Sequence, residues 1–502
     1  KAAAGGGGRG MRVVTDEAEL DVAITSAMRE AENAFGLPDL IVEQYIPNGR
    51  HIEVQIAGDG KGKVIHLHER ECTLQRRHQK VIEEAPAAPM PEPIRQKILA
   101  DAVKIGEALN FRNLGTVEFL LAGEDYYFLE VNPRLQVEHP VTEEVTGLDL
   151  VALQLQIAGT GTLDLSQSDI TLTGHAVEAR LYAEDPANGF APSVGRLGTV
   201  TLPAAPIRVE AGVATGNDVT PFYDSMIAKI IAHAADRDQA MNRLDDALNT
   251  TRVQGLVTNR LFLKKLLTLP ETRNGTFWTT QIDDQAIAGS DAVPLPDIAI
   301  AAAIWLFAHR DRDATDPWRN WQGTGWQLNT GETRESTGQV AIFETGEQSF
   351  LIRHGQVGAG GDVGISIDGT HFDIQIQPLT GNEYMIRAGR QKRVISAELR
   401  GNQISLNGPD TQLTGTIRHA LAGLSTGATS DGTLEAPLIG QIMSVHVAEG
   451  DTVAEGDVIA IMESMKMEVR IPAPKSGRLV RLSVAVGDMV SRGDPLGEIE
   501  TA

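Results

Sequence analysis

Lysine is an ordinary surface residue, but Lys466 stands in an unusual setting, Glu463-Ser464-Met465-Lys466-Met467. Methionine normally fills gaps in an interior. Two of them beside one lysine on an exposed turn are therefore hard to explain by core packing. The plainer alternative is a surface lysine on a small β domain. A second constellation is Glu118 and Glu130, on strand-like runs 115–121 and 126–131 joined by 122–125. If that hairpin is centred on Glu124, the two carboxylates stand opposite each other on one face, where like charges repel. A hard divalent cation between them relieves the repulsion, with Asn132 as a further oxygen ligand. The competing reading pairs each carboxylate with an arginine. A third is the run Gly5-Gly6-Gly7-Gly8-Arg9-Gly10-Met11. Glycines let backbone N–H groups converge on a phosphate, and Arg9 and Lys1 add positive charge. Alone, such a run also reads as a linker. Cys72 lies among Arg70, Arg76 and Arg77, which could activate a thiol. No nucleophile is needed by the chemistry below, so a structural cysteine is the expectation.

The elements that must position these residues fall into three textures. Up to about residue 285, helical stretches such as 21–35 alternate with strand-like runs such as 63–68 and 116–121, an α+β or α/β mixture. Residues 297–309 (DIAIAAAIWLFAH) then predict a helix apolar on every side, which protein must enclose. Six short alternating runs follow, 340–344, 350–353, 364–368, 372–377, 383–387 and 394–399, separated by Gly, Asn and Asp turns. They predict an antiparallel barrel around that helix. Residues 420–432 (ALAGLSTGATSDG) are small, polar and aperiodic, a flexible linker. Beyond it, 436–463 and 473–500 align without a gap at an offset of 37 residues, each carrying G-D-x-V-x-x-G-D. Two such β units pack most simply about a pseudo-two-fold axis, with Lys466 at the exposed hairpin tip between them.

The chain has 502 residues, enough for about three domains, and its net charge of −23 excludes nucleic acid and anionic membranes as partners. A phosphate ligand must be captured by local basic residues. One cysteine permits no intrachain disulfide and suits a reducing compartment: the cytoplasm of a bacterium, or the mitochondrial matrix of a eukaryote. No apolar run is long enough to span a bilayer.

Ser464-Met465-Lys466-Met467 resembles the biotinyl carrier domain, where A/S-M-K-M marks the biotinylated lysine. Lipoyl domains share that fold but lack the paired methionines. The motif from Glu130 to His139 (EVNPRLQVEH), with 69–84 (ERECTLQRRHQKVIEE) and the glycine run, resembles the biotin carboxylase branch of the ATP-grasp enzymes. The likeness runs from Lys1 to about 285. It implies that Lys1 and Gly5 to Met11 cover the ATP phosphates, and that Glu43, Gln44 and Ile46 belong to the adenine hinge. A lysine commonly follows the hinge glutamate in this family, and Gln44 departs from that. His51, Gln75, His78 and Lys80 would line the nucleotide and phosphate region. Glu118, Glu130 and Asn132 would hold Mg2+ or Mn2+. Arg134, Gln136 and Val137 would bind bicarbonate, with Glu138 as its general base, and Arg180 would stabilise the enolate of biotin. The chemistry suits these types: bicarbonate attacks once a base removes its proton, and cations offset charge on the γ-phosphate.

The resemblance implies a multidomain α+β chain: a partial ATP-grasp domain at 1–160, a biotin carboxylase C-terminal domain at 161–285, a helix-plus-barrel contact domain at 286–419, and an all-β biotinyl carrier at 433–502. Biotin carboxylases have a further N-terminal subdomain, so the start at Lys1 reads as a truncation. The middle domain resembles the contact domain of propionyl- and methylcrotonyl-CoA carboxylases, and its length excludes a pyruvate or urea carboxylase chain. Trp318, Trp321 and Trp326 read as core or contact residues. The expected function is ATP- and bicarbonate-dependent carboxylation of biotin on Lys466, then delivery to a separate carboxyltransferase (beta) subunit. The acyl-CoA of preference is 3-methylcrotonyl-CoA, from the stretch 316–329. Propionyl-, geranyl- and broader acyl-CoA carboxylases are the alternatives, as is a chain acting only as carrier and assembly module. A biotin protein ligase is the other expected partner.

Overall fold

Alternation decides the first long strand. Along β1 (Arg50–Asp59) the even positions Ile52, Val54 and Ile56 are apolar, while His51, Glu53 and Gln55 are polar, and all six are buried. A strand whose polar side is also buried must be covered on both faces. In the computed structural model, which describes residues 1–3, 11–287, 294–309, 339–345, 348–355, 357–358, 360–419, 433–437, 439–464, 467–491 and 493–500, it is. Ile52, Val54 and Ile56 pack with Ile94, Ile98, Leu99 and Ala102 of the helix Glu92–Ala108. Toward one end of the opposite face, Ala57, Ile65 and Leu67 pack with Leu150, Leu153 and Ile157 of the helix Leu150–Thr160. The rest of that face is polar.

β1 belongs to an eight-stranded antiparallel sheet with β2 (Val64–Arg76), β3 (Gln79–Ala85), β4 (Arg112–Ala122), β5 (Asp125–Asn132), β6 (His175–Tyr182), β7 (Arg208–Ala211) and β8 (Met226–Ala234). The strand order is β7-β8-β6-β3-β2-β1-β4-β5. Because β3 pairs with β6, the two expected carboxylase domains share one continuous sheet. Helix Arg237–Thr250 closes the β6–β8 side through Ala240, Met241, Leu244 and Leu248.

The helix Leu295–His309 is enclosed as its composition requires, within a closed antiparallel barrel. The barrel has eight strands rather than the six expected; the additions are Gln403–Asn407 and Gln412–His419. Both are at least half polar, and closure of the barrel is what pairs them. A buried arginine, Arg260, fastens the barrel to the carboxylase by donating to the carbonyls of Gly408, Pro409 and Thr411. The expected tryptophans Trp318, Trp321 and Trp326, the stretch 316–329 and the linker 420–432 lie outside the described residues.

The C-terminal repeat folds as two four-stranded sheets. One sheet orders Thr433–Glu435, Pro495–Glu500, Gly477–Leu482 and Thr452–Val453; the other orders Met467–Pro472, Val458–Ser464, Gly440–Val445 and Met489–Val490. Equivalent strands occupy equivalent places, but each copy lends its short strand (Thr452–Val453 or Met489–Val490) to the other's sheet. The shared motif builds the turns beside these strands. Gly450, Gly456, Gly487 and Gly493 take positive φ, and Asp451, Asp457, Asp488 and Asp494 each accept from the backbone N–H three residues earlier.

Candidate active site

The polar face of the sheet gathers charges from five adjacent strands and the segment after β5. Lys80 Nζ on β3 donates to Glu53 Oε2 at 2.6 Å, to Glu138 Oε1 at 2.5 Å and, more loosely, to Glu118 Oε1 at 3.4 Å. Arg180 Nη2 on β6 meets the other oxygen of Glu138 at 2.8 Å and also bonds Glu83 Oε1 at 2.5 Å. Arg70 donates to Glu53 Oε1 at 2.6 Å and to Gln136 Oε1 at 3.1 Å. Glu138 is thereby held between two cations, at the N-cap of the helix His139–Thr146. All these groups are largely withdrawn from water, where Coulomb interactions are stronger. Burial would raise the carboxyl of Glu53, but Lys80 and Arg70 hold it down to about 2. Burial opposes the charge on Lys80, and its carboxylate neighbours, Glu53 foremost, raise it well above the ordinary lysine value. Arg180 is raised likewise by Glu83 and Glu138 against burial.

Glu118 and Glu130 do stand opposite each other, though not by the simple route. The hairpin pairs Ala122 with Asp125 and Phe119 with Phe128, so its centre lies half a residue before Glu124. Continued unbroken, that register would set Glu118 against Leu129 and turn Glu130 to the other face. A bulge between these pairs restores the match of Glu118 with Glu130. Asn132 Nδ2 then touches both, at 2.9 Å from Glu118 and 3.0 Å from Glu130. Two carboxylates sharing one amide are close enough to share a hard cation. With that amide rotated to present its oxygen, the three form an all-oxygen set suited to magnesium. Glu118 is further fixed by His51 Nε2 at 2.9 Å and Gln136 Nε2 at 2.8 Å. Against the effect of burial, the His51 bond and the nearby charges hold its carboxyl down to about 2.

Gln75 donates to His51 Nδ1 at 2.6 Å, which leaves the Nε2 proton for Glu118. His78 is exposed in a two-residue turn with Arg77, both at positive φ, between the paired Arg76 and Gln79. Lys1 Nζ meets Glu43 Oε2 at 2.7 Å, so the chain's first residue and the hinge segment lie together. Gln44 is exposed and Ile46 half-buried; Gly5, Gly6, Gly7, Gly8, Arg9 and Gly10 lie outside the described residues, and Met11 is exposed. Arg134 is exposed and bonds only its neighbour's carbonyl, Leu135 O at 3.4 Å, among the described residues. Val137 gives its carbonyl to Lys229 at 2.7 Å. Lys466 and Met465 lie outside the described residues; the strands flanking them pair as far as Ser464 with Met467. Cys72 is fully buried, and burial with the surrounding carboxylates raises its thiol well above the ordinary value, in keeping with a structural role.

Sequence reasoning missed Glu53, Arg70 and Glu83. Glu53 alternates with Ile52 and Val54, a pattern that reads as a solvent-facing glutamate; only the covering of the second face reveals it as buried.

Three family models match the chain: the ATP-binding domain of the carbamoyl-phosphate synthase L chain over residues 1–166, the biotin carboxylase C-terminal domain over 178–284, and a biotin-requiring enzyme domain over 432–499. With the lattice around Lys80, Glu138 and Arg180, they define a biotin-dependent carboxylase in which an ATP-binding biotin carboxylase and a biotin-requiring domain share one chain. The alpha subunit of mitochondrial methylcrotonoyl-CoA carboxylase from Mus musculus is 36% identical over 489 residues, 93% of this chain and 67% of that protein. The chain belongs to the family of these alpha subunits. Pyruvate carboxylase from Aspergillus niger is 47% identical, but over 57% of this chain and 24% of its own length. The chain thus spans about two thirds of the mouse protein and a quarter of the fungal one. Among solved structures, the biotin carboxylase domain of 2-oxoglutarate carboxylase from Hydrogenobacter thermophilus, in complex with MgADP, ADP and bicarbonate, is 41% identical. It superposes with a TM-score of 0.56 over 58% of this chain and 65% of that one. Among the described residues, no helix is long and apolar enough to cross a membrane.

Proposed function

We propose that this chain uses ATP and bicarbonate to carboxylate a biotin carried on Lys466, and presents the product to a carboxyltransferase beta subunit acting on 3-methylcrotonyl-CoA. The observation that carries the reading is Glu138 held through both oxygens by Lys80 and Arg180. A carboxylate so fixed is a base with a defined direction, and the two cations beside it suit a site for bicarbonate. Glu138 takes the bicarbonate proton. Lys80 then stands beside the anion and offsets charge as phosphate is transferred. Gln136, tied to Arg70 and Glu118, links the bicarbonate segment to the metal ligands Glu118, Glu130 and Asn132. Lys1, Glu43, Gln44, Ile46, His51, Gln75 and His78 serve the nucleotide side, and Arg134 and Val137 the bicarbonate side. Magnesium, when bound, would neutralise nucleotide phosphate charge. Biotin, when bound, would supply the ureido nitrogen that receives the carboxyl group, its proton passing to the phosphate released from ATP, and Arg180 would offer its guanidinium to the charge that develops there.

The acyl-CoA preference is supported by the family of the alpha subunits to which the chain belongs, and by the match over 93% of the chain. The test is bicarbonate-dependent ATP cleavage by the biotinylated chain, then transfer of labelled carboxyl to 3-methylcrotonyl-CoA, propionyl-CoA and geranyl-CoA with the co-purified beta subunit. Carboxylated biotin with preferred transfer to 3-methylcrotonyl-CoA is expected. Biotin on the chain without bicarbonate-dependent ATP cleavage would reduce it to a carrier.

A further inference from the structure

Beneath Arg180 lies a pair of acids that the reaction above does not use. Glu83 on β3 and Glu178 on β6 are directly opposite each other in the sheet, and both are fully buried. Side chains so paired rise from the same face with Cβ atoms about 5 Å apart, within reach of one another. Glu83 spends one oxygen on Arg180: Oε1 accepts from both Nε and Nη2 at 2.5 Å. Among the described residues its Oε2 has no hydrogen-bond partner, and Glu178 has none at either oxygen.

Among the described residues, the surrounding cations bond groups other than Glu178. Arg180 serves Glu83 and Glu138; Lys80 serves Glu53, Glu118 and Glu138. Lys229 bonds Glu210 at 2.6 Å and the Val137 carbonyl at 2.7 Å. A fully buried carboxylate with no partner is strongly unfavourable, and such a group takes up a proton instead. Burial and the facing Glu83 raise the Glu178 carboxyl far above the usual range. Burial, resisted by Arg180, raises Glu83 to about 7. Two adjacent acids that cannot both ionise hold one proton between them.

We propose that Glu178 is a neutral carboxylic acid donating a hydrogen bond to Glu83 Oε2, and that the pair is a positioning device for Arg180. With Oε2 occupied by Glu178, Oε1 is turned toward the guanidinium, which aims Nη2 at Glu138. The role of the pair in turnover rests on the reading of Arg180 given above; the shared proton does not.

The test uses the full biotinylated chain. Infrared difference spectra at neutral pH, with isotope-labelled glutamate, compare wild type with Glu178→Gln. Loss of a protonated-carboxyl carbonyl band in the variant is expected, and an unchanged spectrum overturns the proposal. Biotin carboxylation is measured in parallel. Glu178→Gln, whose amide can donate the same bond, should stay within about threefold of wild type. Glu178→Leu and Glu83→Gln should lose about ten- to a hundredfold in kcat, as when the partner orienting a first-contact group is removed, with KM for ATP unchanged. Equal loss in Glu178→Gln and Glu178→Leu would overturn the positioning role. A wild-type chain with no biotin carboxylation would sink the functional reading and the positioning role together, while the carbonyl band would still decide the proton.

Discussion

Lys80→Met removes the ammonium that three carboxylates share and keeps most of the side-chain volume. The side chain of Lys80 is 13% exposed and that of Glu53 is fully buried, so the loss is that of one partner from a buried network. Such losses cost about 3–5 kcal/mol. Arg70 remains on Glu53 and Arg180 on Glu138, which places the expected cost near the lower end, about 3 kcal/mol. A second estimate comes from Glu53, whose carboxyl falls from 4.5 to about 2 on folding. At 1.36 kcal/mol per pH unit that is also on the order of 3 kcal/mol, supplied jointly by Lys80 and Arg70. Because the folded value is the lower one, this stability is present above the unfolded value of 4.5 and is lost as pH falls toward about 2. Lys80→Met should therefore be markedly less stable at pH 7, with a gap from wild type that narrows as the pH drops below about 4. Amide hydrogen exchange of peptides covering residues 50–85 measures the opening free energy of these strands directly. In a double-mutant cycle with Glu53→Gln, the two changes should together cost at least about 1.5 kcal/mol less than their sum. Additivity to within about 0.5 kcal/mol at pH 7 would refute the shared network.

Three further outcomes are expected. Lys466→Arg should abolish biotin attachment while leaving the fold intact, read as the missing biotin mass increment and lost streptavidin binding after co-expression with a biotin ligase. Arg180→Leu should lower biotin carboxylation by about a hundred- to a thousandfold, the scale for removing a donor aimed at developing negative charge, as read by labelled bicarbonate incorporation into the carrier. Cys72→Ala should keep activity within about threefold, and the wild-type thiol should resist alkylation until the protein is unfolded, because it is buried and protonated.

The paired repeat, the all-apolar helix and the motif from Glu130 to His139 are local signals, written in spacing and residue type, and they were legible in the chain. The repeat predicted two equivalent units because each G-D-x-V-x-x-G-D builds its own turn: the glycine takes positive φ and the aspartate closes on a nearby N–H. The helix Leu295–His309 announced its enclosure because no face of it can meet water without cost. Ser464 to Met467 marked the carrier because the run resembles the biotinyl carrier motif, two methionines beside one lysine being hard to explain by packing.

What the tertiary structure alone decided is where long-range pairing overrode the local pattern. The last two barrel strands are too polar to declare themselves; closure gives their backbone groups partners. The exchange of short strands between the carrier's sheets follows from docking the two repeats, which no single repeat contains. Glu118 and Glu130 face each other because of a bulge that a residue count cannot foresee. Glu53, Arg70, Glu83 and Glu178 look like an exposed polar face until β6 joins β3 and the sheet is covered. Burial, a property of the whole assembly, withdraws those four from water and sets Glu53 and Glu83 against Arg70, Lys80 and Arg180.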